Sequence, residues 1–390
     1  YIDKVNHIFL SHRRLSIIDT STNGSQPMIS NSGRYVLLFN GEIYNHKTIK
    51  DKIHNYSFKG TSDTEIILAS FEINGFQRTI ENLEGMFSIV LFDKKLMQFS
   101  FARDRFGEKP LYYSNEGNKF FFSSDLSFLK NAKFINKNIN IEALNLYFKY
   151  NYIPSPFTIF ENIFKLEPGS ILEYNLINNK LKKIKYYKTE KIFFRDKTNL
   201  SFEESSKELE KIFLNKINDQ LICDVKLGTF LSGGIDSSLI TSIVAKNFNN
   251  NIQSFTIGFN KEEYDEVSRA SLVAKHLNIK HHYEYLNNDK LISIVESIPK
   301  YYSEPFADSS QIPSFFLSSI ARKNIKVALS GDGGDELFGG YNRYVFSQNY
   351  LHYLKKYPYI LRKFSKKILF LINNKYFRSF IFQFFNSQNS

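Results

Sequence analysis

An α+β half followed by a doubly wound α/β half is the fold class this sequence predicts. Three observations carry it. Short apolar runs separated by turn residues fill the first half, with few helical stretches. Beyond about residue 200, strand-like and helix-like segments alternate. The strand-like segments of that second half end in glycine, hydroxyl and acidic residues, the groups that ligands meet at the carboxyl ends of parallel strands. A chain of 390 residues is long enough for two domains. We place them at residues 1–188 and 200–390, joined by a polar linker at 189–199.

In the first half, Tyr35 to Phe39 is an apolar strand run, and the Asn40-Gly41 pair after it reads as a turn. Asp63 to Phe71 has helical spacing, with Ile66, Ile67, Ser70 and Phe71 on one side. Gly85 to Phe92 and Gln98 to Ala102 form a strand pair around Asp93-Lys94-Lys95, and Lys119 to Ser123 is a further short strand. From Ile141 to Lys188 the chain offers strand signals and a proline-rich corner at Ile153-Pro-Ser-Pro-Phe157. Leu200 to Leu221 then reads as a helix. Lys226 to Leu231 is a strand before the helix-like Leu239 to Ala245. Gln253 to Phe259 precedes a helix with Val267, Ala270, Val273, Ala274 and Leu277 on one face, and Ile325 to Leu329 follows the helix-like Phe315 to Lys323. Near the end, Phe364, Phe370 and Phe377 read as parts of packing helices.

Composition narrows the function classes. Lys and Arg outnumber Asp and Glu by 51 to 39, a net charge of +12. No long unbroken basic run stands out. The densest patches, Lys180 to Lys188 and Lys355 to Lys367, read as solvated surface, so neither nucleic acid nor membrane is expected as a partner. The single cysteine, Cys223, excludes a disulfide framework and a Cys-rich zinc site, and fits a reducing, cytoplasmic setting. No stretch of about 18 uncharged apolar residues is present, so no membrane span is expected. The chain opens at Tyr1 with neither Met nor a signal-peptide pattern, and we expect a processed or incomplete sequence.

Two loops carry chemistry. Leu231-Ser-Gly-Gly-Ile-Asp-Ser-Ser238 joins a strand to a helix N-terminus, where backbone N–H groups and the helix dipole favour an anion. Ser232, Ser237 and Ser238 add hydroxyl donors, and Asp236 is a candidate metal ligand. The loop lacks the lysine of the G-x-x-x-x-G-K-[ST] nucleotide motif, and taken alone a plain Ser/Gly turn stays open. Ser330-Gly-Asp-Gly-Gly-Asp-Glu-Leu-Phe-Gly-Gly-Tyr341 places carboxylates and glycines in a second loop after a strand.

Together with Ser254 to Phe259 and Ser303-Glu-Pro-Phe-Ala-Asp-Ser309, these loops resemble the synthetase domain of glutamine-dependent asparagine synthetases, in order and spacing over about 110 residues. The resemblance implies a doubly wound ATP pyrophosphatase fold. It implies ATP contacts at Leu231, Ser232, Gly233, Gly234, Asp236, Ser237, Ser238, Ile257, Ser330 and Gly331, and magnesium ligation by Asp236 and Asp335. An acid after the Ser-Gly pair, often Glu in the family, assists formation of β-aspartyl-AMP; here it is Asp332, one methylene shorter. Adenylation makes the carboxylate a good acyl donor, which ammonia then attacks.

Ammonia has a candidate source upstream. Arg14-Leu-Ser-Ile-Ile18, Asn40-Gly-Glu-Ile-Tyr-Asn45, Ser62-Asp-Thr-Glu65, Gly85-Met-Phe87 and Ala102-Arg-Asp-Arg-Phe-Gly-Glu-Lys-Pro-Leu-Tyr-Tyr113 resemble class II glutaminase domains, which implies a four-layer αββα fold of the Ntn-hydrolase type. The resemblance puts Arg14 on the glutamine carboxylate and Asp63 on its amino group. It makes Asn40 and the Gly41 N–H an oxyanion hole. Leu15, Ser16, Ile17, Ile18 and Glu42 line the same pocket. Singly, Asn40-Gly41 reads as a hairpin turn, Arg14 as a surface charge and Asp63 as a helix N-cap. The family's nucleophile is an N-terminal cysteine. Tyr1 stands first here, and Cys223 precedes the ATP strand, where a buried structural thiol is expected. We therefore expect this chain to be cut at both ends. The expected reaction converts aspartate, glutamine and ATP to asparagine, glutamate, AMP and pyrophosphate, and the family allows a homodimer. Amidation of another carboxylate in surface polysaccharide or peptide synthesis is the nearest alternative. A tRNA-modifying pyrophosphatase with a similar loop and a chain inert towards glutamine are further ones.

Overall fold

A long strand with two apolar faces organises the first half. In the computed structural model, which describes residues 1–117, 119–133, 135–194, 198–248, 251–259, 265–356 and 358, β1 (Ile2–Asp3) and β2 (Ile8–Phe9) pair, and β3 (Met28–Ile29) lies beside β4 (Tyr35–Ile43). Three helices follow: α1 (His46–Asp51), α2 (Asp63–Asn74) and α3 (Phe76–Asn82). β5 (Gly85–Asp93) and β6 (Gln98–Arg103) form a hairpin, as do β7 (Tyr112–Glu116) and β8 (Lys119–Ser123). Then come α4 (Leu126–Asn131), α5 (Ile141–Tyr150), β9 (Phe164–Lys165), β10 (Ser170–Asn175) and β11 (Leu181–Lys185). Among the described residues the main sheet is antiparallel in the order β11-β10-β6-β5-β4-β3, and a second sheet runs β8-β7-β9.

Strand alternation sorts the side chains into layers. Leu37, Phe39 and Ile43 of β4 face Ile67, Leu68 and Phe71 of α2 and Ile80 of α3. Val36 and Leu38 face the other way, with Phe92, Phe99 and Phe101, against Tyr113, Phe120 and Phe122 of the second sheet. That sheet's outer face packs Tyr112 and Phe121 on Leu126 and Leu129 of α4 and Ala143 of α5. Helix, sheet, sheet and helix are the four layers expected. Each fully buried side chain of this size contributes roughly 1.5–3 kcal/mol of burial.

Two expectations are corrected. Asn40-Gly41 is not a turn: both residues lie inside β4, which stays paired with β5 as far as Ile43 opposite Gly85. The stretch read only as strand signals contains the helix α5, which Asn140 caps by accepting from the Ala143 N–H.

The second half is parallel. α6 (Glu190–Phe193) lies in the expected linker, and α7 (Phe202–Gln220) starts at a Ser201/Glu204 capping box. β12 (Leu227–Phe230), α8 (Ile235–Asn247), β13 (Gln253–Phe259), α9 (Val267–His276), β14 (Lys280–Leu286), α10 (Asn288–Tyr301), α11 (Gln311–Ala321) and β15 (Val327–Leu329) follow. The sheet order is β14-β13-β12-β15, all parallel. Residues of α7, α8 and α9 cover one face (Ile217, Val244, Ala270), and residues of α10 and α11 cover the other (Ile294, Phe316, Ile320). β14, an edge strand rich in polar residues, is an element the sequence does not announce. The strand order reverses between β12 and β15, the switch point at which such sheets bind ligands.

Residues Tyr1–Ser330 form one compact unit and Gly331–Ser390 another. Within the second, α12 (Gly334–Phe338) and α13 (Asn342–Lys355) are described; Phe364, Phe370 and Phe377, with the Lys366-Lys367 end of the basic patch, lie outside the described residues.

Within the first unit the two halves meet across ionic and backbone contacts. Lys165 of β9 pairs with Glu304, both side chains largely buried at 13% and 15% exposure. Ser303 Oγ donates to Asp125 at 2.8 Å, and the Ala307 N–H to Asn151 O at 2.8 Å. Burial raises the Glu304 carboxyl and lowers the Lys165 ammonium, each shift opposed by the partner's charge. Removing one member strands the other charge. We expect Glu304→Gln to destabilise the protein by roughly 3 kcal/mol in denaturant melts, and the Lys165→Met/Glu304→Leu pair to recover most of that loss.

Candidate functional site

The outer edge of β4 builds the first pocket. Phe39 is bound at this edge by a side chain: its N–H donates to Gln26 Oε1 at 2.6 Å, and its carbonyl accepts from Gln26 Nε2 at 3.0 Å and His12 Nε2 at 3.1 Å. The Ile43 N–H donates to Asp63 Oδ2 at 3.0 Å. N–H groups two residues apart on a strand point the same way, so the Gly41 N–H points to this edge, between Gln26 and Asp63. Phe87, opposite Gly41, exchanges its own backbone bonds with Asp104 instead, as that geometry requires. A Cβ on Gly41 would overlap Met86 O, so only glycine fits. Asn40 and Glu42 project with Val36 and Leu38 towards the second sheet.

Arg14 is not a loose surface charge. Its guanidinium donates to Ser21 O at 2.8 Å, to Ile18 O at 2.9 Å and to Asp19 O, and it lies against the Cα of Gly24. Leu15 is exposed, and Ser16, Ile17 and Ile18 are half-buried. Asp63 is not the cap of α2: Ser62 caps it, and Asp63 is the first helical residue, buried, accepting from Ile43 and Thr64 N–H groups. Arg14, Glu42 and Asp63 share one electrostatic field. Burial pushes the Glu42 carboxyl up to about 8, with Asp63 adding and Lys109 and Arg14 opposing. Burial also raises Asp63, against the Ile43 N–H, His46 and Arg14.

The Arg103 to Pro110 segment, matched in the sequence without a role, is the pocket's scaffold. The buried Asp104 carboxylate accepts from the N–H groups of Phe87, Phe106, Gly107, Glu108 and Lys109, at 2.6 to 3.2 Å. Arg103 closes the same loop through Lys109 O, Gly107 O and Leu166 O. This holds Lys109 near Glu42. Gln26 and Asp19 escape a sequence reading because each acts on backbone atoms and leaves no spacing signal, whereas Asp104 is matched there and only its role is missed.

Tyr1 stands elsewhere. Its ring is 6.4 Å from that of Phe92, four β5 residues from Ser88, the partner of Asn40, or roughly 13 Å along the strand. Cys223 is half-buried, with Sγ donating to Val225 O at 3.3 Å. Burial raises its thiol, and Asp224 and Glu42 raise it further, the reverse of an activated thiolate.

The second site sits at the end of β12. Leu231 is buried; its N–H donates to Phe255 O at 3.0 Å and its carbonyl accepts from Thr256 Oγ1. Gly233 has φ +75° and packs on the α9 backbone, where a Cβ would lie 2.7 Å from Ala270 N, so a side chain is excluded twice over. Ser232 and Ser237 hydroxyls bond each other at 2.9 Å and brace the loop. Gly234 caps α8 without a side chain, which leaves the first-turn amides to an anion. The Ser238 hydroxyl is buried without a partner among the described residues. Asp236 lies in that first turn. Beside the loop, a cavity of about 360 Å³ is lined by Ile257, Phe259, Glu266, Arg269, Pro313, Ser314 and Leu317. Ser330 follows β15, at the other side of the switch point.

In the second unit, the Gly331 carbonyl accepts from Gly334, Asp335 lies in the first turn of α12, and Tyr341 donates to Glu336 at 2.6 Å. Asp332 lies between Gly331 and the cap residue Gly333. Among the described residues no group of three or more His, Cys, Asp or Glu is placed to hold a metal, and no helix is long and apolar enough to cross a membrane.

Residues 1–187 match the model of a glutamine amidotransferase domain, and residues 208–381 match that of asparagine synthase. A putative glutamine-hydrolysing asparagine synthetase 2 of Methanocaldococcus jannaschii is 34% identical over 93% of this chain and 72% of its own length. Asparagine synthetase 1 of Bacillus subtilis is 35% identical over 87% of this chain and 52% of its own length, so the chain spans about half of that relative. Among solved structures, the B. subtilis glutamine phosphoribosylpyrophosphate amidotransferase has a TM-score of 0.34 at 14% identity, over 70% of this chain and 66% of that one.

Glu42 supplies a test of the first pocket. A carboxyl raised to about 8 keeps, on folding, a proton that the unfolded chain has lost. Stability therefore falls as pH rises from about 4.5 to 8 and levels off above. We expect Glu42→Gln to remove that fall, so that its melting temperature gains on the parent's between about pH 5 and about pH 8. The same difference at both pH values would contradict the buried carboxyl.

Proposed function

Since the chain belongs to the family of glutamine-hydrolysing asparagine synthetases, we propose that it makes asparagine by activating aspartate with ATP and amidating it with ammonia from glutamine. The observation that carries this reading is the presence, within one compact unit, of a strand-edge N–H donor between Gln26 and Asp63, of a braced Arg14, and of a helix N-terminus without a side-chain cap behind a glycine-serine loop.

In the first pocket, Arg14 binds the substrate's carboxylate and Asp63 its ammonium, which draws the raised carboxyl back to its charged form. The Gly41 N–H and the Asn40 amide stabilise the oxyanion of the tetrahedral intermediate, and Ile18 and Glu42 line the pocket. Attack on the amide is left to the N-terminal cysteine of the family. In the second site, the amides of the Leu231 to Ser238 loop and the hydroxyls of Ser232, Ser237 and Ser238 take the phosphates, with Ile257, Ser330 and Gly331 as further nucleotide contacts. Asp236 is proposed as a magnesium ligand, and Asp335 by the family's pattern. Carboxylates with phosphate oxygens suit this ion, which needs no larger protein cluster; when bound it offsets phosphate charge. Asp332 assists formation of the acyl-adenylate. The single cysteine supports a reducing, cytoplasmic setting.

The test uses the complete protein with labelled aspartate, ATP and ammonium. Asparagine and AMP in equal amounts are expected, and Asp332→Ala should lower the rate by about a hundredfold or more. ATP cleavage to AMP without asparagine would refute aspartate as acceptor and favour another carboxylate.

A further inference from the structure

The loop from Arg14 to Ser21 is held from outside by residues at the feet of the two nucleotide strands. The Asp224 N–H donates to Ile17 O at 3.0 Å, and Asp224 Oδ2 accepts from the Asp19 N–H at 2.7 Å. Three residues later β12 begins, and it ends at the Leu231 loop. Lys326 Nζ donates to Ser16 O at 2.7 Å and its N–H to Lys226 O at 3.0 Å; the next residue opens β15. On its inner side the same loop holds Arg14 through the carbonyls of Ile18, Asp19 and Ser21. Asp19 is fixed at its other end too, its carboxylate accepting from the Ser21 and Thr61 N–H groups, two residues before Asp63.

A guanidinium binds a carboxylate well only when its fork is aimed. Here the aim is set by three carbonyls, and two of the peptide units that carry them flank or include the Asp19 N–H on Asp224. We propose that Asp224 is a positioning residue of the glutamine pocket: it holds the backbone that aims Arg14, and so ties the affinity for glutamine to the strand that bears the phosphate loop. The assignment of glutamine as the pocket's ligand rests on the function proposed above.

The complete protein, with Asp224→Ala and Asp224→Asn, tests this by two readouts. Calorimetric titration with glutamine should show affinity about tenfold weaker in Asp224→Ala. Asp224→Asn keeps an acceptor for the Asp19 N–H and should recover most of the loss. In turnover, the KM for glutamine should rise in parallel, while kcat with ammonium as nitrogen donor and the KM for ATP stay within about twofold. Equal glutamine affinity in all three proteins overturns the proposal, as does a matching fall in ammonium-dependent turnover, which marks a general structural role. If Asp224→Ala does not fold, the proposal stands or falls on Asp224→Asn, which must bind glutamine within about threefold of the parent, and on Asp224→Leu, which must not. Glutamine binding that follows the expected pattern without any asparagine synthesis would sink the proposed function and leave this inference intact.

Discussion

The stretch of the β4 edge beyond its pairing with β3, from Phe39 to Ile43, is the constraint on which the first site depends. A strand edge offers N–H groups in a fixed direction at fixed spacing. Here the edge is neither paired throughout nor left open. Gln26 takes the groups of Phe39 and Asp63 takes the N–H of Ile43, so the donor between them, on Gly41, is aimed without being used up. The remainder of the pocket can be read as support for that edge. Glycine at 41 lets β5 lie close enough to keep the strand straight, Asp104 holds Phe87 across from it, and Ser62 starts α2 so that Asp63 faces the edge.

The second site depends on a different constraint. In a parallel sheet every strand presents its carboxyl end to the same side, and the reversal of order between β12 and β15 opens a crevice there. The Leu231 loop fills one side of it. Its serines bond each other and the backbone, so the loop is shaped before any anion arrives, which spares binding an ordering cost.

The parallel half is largely legible because its signals are local: β13 matches its apolar run from Gln253 to Phe259, and α7 is announced by Ser201 and Glu204. The edge strand β14 is hidden because Lys280-His-His-Tyr-Glu-Tyr carries polar residues where a buried strand would carry apolar ones. Asn40-Gly41 misleads for the opposite reason. The pair is a strong local turn signal, yet the register with β5 and the glycine contact with Met86 override it. Helix α5 is masked by aromatic residues that suit strands equally well. In the sites, Arg14, Asp63 and Gly41 are legible as a set through resemblance. Their braces at Gln26, Asp19 and Asp224 are not, since side chains that bind backbone atoms far along the chain leave no periodic trace.

The cage around Asp104 bears on which changes of loop length this protein can accept. Surface loops normally accept insertions and deletions freely. The segment from Arg105 to Lys109 runs near the surface, but a single buried carboxylate counts its amides in sequence, from Phe106 to Lys109. One residue more or fewer would break this succession and leave part of the buried carboxylate without its donors. The length of this loop is thus tied to the carboxylate it encloses, while the side chains of Glu108 and Lys109 take no part in that frame.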